Sequence, residues 1–133
     1  MYVIVPVDNR MGMGFHGRRQ SRDRVLNTYL LKLSQGKKLW MAPCSSALFQ
    51  GASDIVISGD FLSQAGPEDL CFVEDRPLLP FRDQIRGIVL CKWNRDYPGD
   101  FFLDLDPKGW QLRHQEEFPG SSHEKLTIEV YLK

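Results

Sequence analysis

Residues 8 to 24 carry Arg10, Arg18, Arg19, Arg22 and Arg24 against only Asp8 and Asp23. Guanidinium forks match carboxylate and phosphate oxygens, and the interspersed Gly12, Gly14 and Gly17 let a backbone approach such a group closely. The segment is therefore a candidate anion or acidic-partner contact, with Met13, His16, Arg18, Arg19 and Arg22 as contact residues; the alternative is a solvated, polar loop. His16 is also a candidate acid or base. A second constellation, Ser121-Ser122-His123-Glu124, places hydroxyl, imidazole and carboxylate together. Hydrolysis by such a set needs a Ser–His hydrogen bond and an oriented base. Strand neighbours face opposite ways, and no Gly-x-Ser-x-Gly elbow is present, so a turn before the last strand is expected. Carboxylates crowd Glu68-Asp69, Glu74-Asp75 and Asp83, then Asp96, Asp100, Asp104 and Asp106. With Trp93, the stretch from 93 to 106 is a candidate acidic face for a basic protein such as a nuclease toxin. Cys44, Cys71 and Cys91 form no C-x-x-C pair and lie apart from the histidines, so neither a disulfide framework nor a zinc site is expected.

The elements that must position these groups follow from apolar periodicity. Tyr2 to Val7 is β-branched and apolar, a buried first strand. The glycine-rich stretch from Asp8 to Ser21 is expected to be a mobile loop. Val25, Leu26, Tyr29, Leu30 and Leu33 recur at helical spacing, with Asp23 near the helix start and Gly36 past its end. Short strands are expected at Lys38–Met41, Asp54–Ile57 (buried) and Leu70–Val73, and a longer one over Ile85–Trp93. A brief helix capped by Ser45-Ser46 should run through Phe49, a turn should follow Asp60, and a short helix should begin at Pro77. Asp100–Asp106 alternates in part and Leu126–Leu132 alternates well. Cys91 and the tryptophans at 40, 93 and 110 read as packing residues.

The order is α/β: one domain over residues 1–133, with flanking helices on a central, mixed but mostly parallel sheet that ends in antiparallel strands. The 133 residues, 42% hydrophobic and 26% charged, suit a globular core. Seventeen basic and seventeen acidic residues cancel, which argues against nucleic acid as the main partner. No apolar run approaches the roughly 20 residues of a bilayer span. Without a signal-like start, and with an odd cysteine set, a cytoplasmic location is expected.

Three stretches resemble dihydrofolate reductase. Ile4-Val5-Pro6-Val7-Asp8-Asn9-Arg10-Met11-Gly12-Met13-Gly14-Phe15-His16-Gly17 is similar to that family's first strand and flexible loop. Leu33-Ser34-Gln35-Gly36-Lys37-Lys38-Leu39-Trp40-Met41 is similar to its join between the substrate-side helix and second strand. Gly99-Asp100-Phe101-Phe102, with Trp110 ten residues after Asp100, resembles a third motif, and Val130-Tyr131-Leu132-Lys133 resembles the closing strand. The resemblance implies a dihydrofolate-reductase-like fold.

The reaction's residues do not carry over. The family's pterin-binding carboxylate falls on Leu26, which can neither accept those hydrogen bonds nor move a proton. Asp23, one turn earlier, would serve only with a shifted register, and otherwise is a residue favoured by the helix dipole. The family's phosphate-facing Gly-Gly pair is replaced by Glu74-Asp75. Its basic residue for the cofactor's 2′-phosphate is replaced by Pro43, and only Ser45 keeps a hydroxyl. The stretch between Ile57 and Leu70 is short where the family has a strand and a helix beside the adenine half of the cofactor.

These losses point to a non-catalytic or repurposed binding protein that needs no cofactor. Its partner would be a nucleotide-like small ligand or a protein, as in an immunity or antitoxin factor, meeting the loop residues, Ser45, Trp93, Asp96 and Asp100. The competing reading is a divergent NADPH-dependent reductase of a pterin, with Asp23 as its acid. A third is a nuclease or hydrolase using His16 or His123 with the arginines.

Overall fold

The computed structural model describes residues 1–133. Its centre is strand β1, Tyr2–Val7. Val3, Val5 and Val7 pack into one apolar cluster and Ile4 into another on the opposite sheet face, so both sides of the strand are buried. That is why its sequence is a continuous apolar run. Pro6 is tolerated because β1 pairs with β6 (Leu70–Phe72) only through residues 2 to 4, so its missing N–H falls beyond that ladder.

Seven strands form the main sheet in the order β5-β4-β6-β1-β7-β10-β9. β4 (Leu39–Met41), β5 (Ile55–Ile57), β6, β1 and β7 (Gly87–Lys92) are mutually parallel. β10 (Leu126–Leu132) runs antiparallel to β7 and to β9 (Gln111–Phe118). The fold is thus the expected mixed, mostly parallel α/β sheet with antiparallel C-terminal strands.

Helix α1, Arg24–Leu33, lays Leu26 and Leu30 on the sheet face formed by Ile4, Phe72, Val89 and Ile128. The other face is covered by Phe61 and Leu62 of the short helix α2 (Phe61–Gln64), by Leu78 and Ile85, and by Leu105. Between Ile57 and Leu70 the chain contains α2 and no strand.

Several elements depart from expectation. The glycine-rich segment is not simply a loop. Gly12–Phe15 (β2) and Arg18–Arg19 (β3) form a hairpin that pairs with β8 (Phe101–Phe102) in a second, three-stranded sheet. Strand pairing gives the glycines a role: a Cβ on Gly14 would lie 3.0 Å from the Arg18 carbonyl oxygen. The alternation expected over Asp100–Asp106 is reduced to two strand residues, Phe101 and Phe102, which pair with β2, the rest being coil.

β5 is an exposed edge, with Ile57 53% accessible, rather than a buried strand. The brief helix is a 3-10 turn over Pro43–Phe49 that starts at Pro43, so Ser45 does not cap it. The helix expected from Pro77 is likewise a 3-10 turn, Leu79–Gln84, with Pro80 near its start. β9, mostly exposed and carrying Arg113, His114, Glu116 and Glu117, has no apolar face to betray it. No helix is long and apolar enough to cross a membrane.

Candidate functional site

In open α/β sheets ligands sit in the crevice outside the carboxyl ends of the parallel strands. Here a pocket of about 650 Å³ opens at that end of β4 and β6, roofed by the β2–β3 hairpin. Gly14, Gly17, Arg18 and Arg19 line it from the hairpin, Cys44, Glu74 and Asp75 from the strand ends, and Asp100 and Phe101 from β8.

A buried ion pair crosses this crevice. Arg19 Nη2 lies 2.8 Å from Glu74 Oε1 and its Nε 3.1 Å from both carboxylate oxygens, a bidentate fork. The same guanidinium donates to the Cys44 carbonyl at 2.6 Å, and Ser45 Oγ donates to Glu74 Oε1 at 2.7 Å. The Glu74 side chain is 7% exposed and that of Arg19 28%, so the carboxylate is out of water while the guanidinium keeps a wet edge. Asp75 is paired with Arg76. Burial first, then the charges of Asp75 and Glu74, push the Cys44 thiol above its ordinary value, making it a poor nucleophile. Arg18 and Asp100 are the two lining charges with no ionic partner; Asp100 instead accepts the His16 backbone N–H at 3.2 Å, pinning the hairpin tip.

A separate hub joins three loops beside the start of α1. Asp23 is the helix N-cap, accepting from the Val25 and Leu26 amides. It also accepts from the Ser121 amide at 3.0 Å, the Ser122 amide at 2.8 Å and His123 Nδ1 at 2.9 Å. Burial alone would raise its pKa; the bonds from His123, Ser121, Ser122 and Leu26 overcome that and hold the carboxyl well below the usual carboxylate range. His123 Nε2 lies 2.9 Å from Tyr97 Oη and 3.2 Å from Ser21 Oγ, and its ring stacks on Trp93.

The structure separates the residues singled out from sequence. Arg18, Arg19 and Asp100 meet at the crevice, and Ser45 supports its floor through Glu74. Met13 is 3% exposed in the core. Trp93, equally buried, is stacked under His123, so it presents no aromatic contact surface. His16 is exposed with φ of 52° and stacks on Phe15. The Arg22 side chain is exposed and takes part in neither site. Asp96 accepts from Asn9, Asp104 accepts the Leu78 and Leu79 amides and Asp106 the Lys108 amide, so the acidic stretch mainly anchors its own chain.

His123 does enter a serine–histidine–carboxylate set, but with Ser21 and Asp23, about a hundred residues away, rather than with its neighbours. One glycine carries a local trace of this: a Cβ on Gly120 would collide with the Asp23 carboxylate. Leu26 is buried in the core against the sheet.

No protein-family model matches the chain, and no curated protein sequence matches it. Among solved structures it is similar to dihydrofolate reductase from Enterococcus faecalis complexed with NADP(H) and RAB-propyl. The TM-score is 0.67 over 98% of this chain and 94% of that one, at 9% sequence identity. The fold is therefore dihydrofolate-reductase-like.

Proposed function

We propose that the chain is a repurposed, non-reductase binding protein on this fold, and that its crevice takes a small polar ligand rather than a dinucleotide. The observation that carries this reading is the Arg19–Glu74 ion pair, buried where the resemblance puts the cofactor's phosphates. A phosphate entering there would meet the Glu74 carboxylate and would have to displace a bidentate, hydrogen-bonded partner of Arg19. Leu26 supplies no acid for the pterin, and Asp23 is saturated by its own loops.

After internal pairing, Arg18 and Asp100 are the free charges, one of each sign, with Phe101 as an apolar wall. That combination suits a zwitterion such as a free amino acid: carboxylate on Arg18, ammonium on Asp100. The carboxylates from Asp96 to Asp106 are exposed but also bond within the chain, and the crevice is the better-defined of the two surfaces.

The test is an amide chemical-shift titration with the free α-amino acids and, separately, with AMP. At least one amino acid is expected to shift the Gly14, Gly17 and Phe101 amides, and AMP is not. Shifts with AMP alone would overturn the reading.

A further inference from the structure

We propose that Ser21, His123 and Asp23 form a serine-nucleophile acyl-transfer site acting on small carboxylic esters. The site lies apart from the crevice and uses none of its residues, so it stands or falls independently of the ligand proposed there.

Asp23 Oδ2 can only accept, so the 2.9 Å contact places the imidazole proton on Nδ1 and leaves the lone pair on Nε2. Two hydroxyls compete for that lone pair, Ser21 at 3.2 Å and Tyr97 at 2.9 Å, and the two are 3.2 Å from each other. The contact between the two hydroxyls runs from Tyr97 Oη to Ser21 Oγ, which leaves the Ser21 proton to be donated to Nε2. This aims the imidazole base at the serine. Burial is graded in the sense a nucleophile requires. Asp23 and His123 are 1% and 4% exposed, and Trp93 holds the imidazole plane, while Ser21 and Tyr97 reach partial exposure. The backbone N–H groups of Arg22 and Asp23 donate to no other group of the chain, beside the positive end of the ten-residue α1. They are the donors available to an oxyanion forming at Ser21.

In the reaction, Ser21 Oγ bonds to the ester carbonyl carbon as its proton passes to Nε2. The imidazolium, stabilised by Asp23, returns that proton to the leaving alkoxide as the carbon–oxygen bond breaks. Water then attacks the acyl-serine, giving its proton to Nε2 and on to Ser21 Oγ, so ester and water become acid and alcohol.

The experiment treats the full chain with a fluorophosphonate probe, maps the adduct by peptide mass spectrometry, and follows p-nitrophenyl acetate hydrolysis in parallel. The expected result is a phosphonyl adduct on Ser21, with hydrolysis lost to background in Ser21→Ala. Ser21 bonds only to the Tyr97 and His123 side chains, so that variant should keep the wild-type circular dichroism and melting temperature. An unlabelled Ser21 in the wild type, or equal hydrolysis by Ser21→Ala, would overturn the proposal.

Discussion

One carboxylate, Asp23, holds together the start of α1, the turn at 120–123 and the His123 ring. Removing it strips the N-cap and leaves buried donors unsatisfied. Asp23→Ala is therefore predicted to destabilise the fold by about 2–5 kcal/mol, a lost helix cap together with buried donors left unpaired. Urea unfolding checks this, and a loss below about 1 kcal/mol, the level of an ordinary surface change, would contradict it. The same group sets an acid limit. Its folded pKa lies below its unfolded one, so its contribution is complete above the unfolded value near 4 and is lost as pH falls from there toward the folded value. Asp8, lowered against its own burial by the amides of Gly12, Arg10 and Tyr97 and by Gln20, acts in the same direction. Urea midpoints should therefore stay level with respect to these two groups from pH 7 to 5 and fall below about pH 4. A midpoint unchanged down to pH 2 would count against the account. Asp23 at the helix start was legible locally, but its meeting with Ser121, Ser122 and His123 was not, because it arises only through the topology.

Among the elements, the β2–β3 hairpin depends on side chains as much as on its ladder. Its backbone pairing is brief, and Arg19 fastens it to the strand ends through Glu74 and the Cys44 carbonyl. Arg19→Ala would leave Glu74 buried without its cation and is predicted to cost about 1–3 kcal/mol, reduced by Arg19's partial exposure. Hydrogen exchange at Gly14 and Arg19 should accelerate in that variant; unchanged protection would show that the ladder alone holds the hairpin. Lysine should not rescue, because a point charge cannot reproduce the fork.

Element legibility followed burial. β1 and α1 were readable because one is buried on both faces and the other presents an apolar stripe above its N-cap. β9 was not, since an exposed, charged edge strand has no alternation, and such charges discourage edge-to-edge association. The hairpin was hidden because its glycines serve close packing as well as mobility. The partner of Glu74 was out of view because Arg19 lies 55 residues away.

At the scale of the molecule, the α/β framework is similar to that of a dihydrofolate reductase at 9% sequence identity. Alternation of strands and helices, glycine-bounded elements and buried apolar runs specify the sheet, and many sequences satisfy them. The site residues are free of that constraint: an ion pair crosses the crevice, leucine stands where the resemblance expects an acid, and a short helix is all that lies between β5 and β6. Calorimetric titration with NADPH tests this account most directly. The prediction is no saturable heat, with any association weaker than about 1 mM, or about 4 kcal/mol. Saturable binding at about 1 μM, followed by NADPH oxidation on adding dihydrofolate, would contradict it.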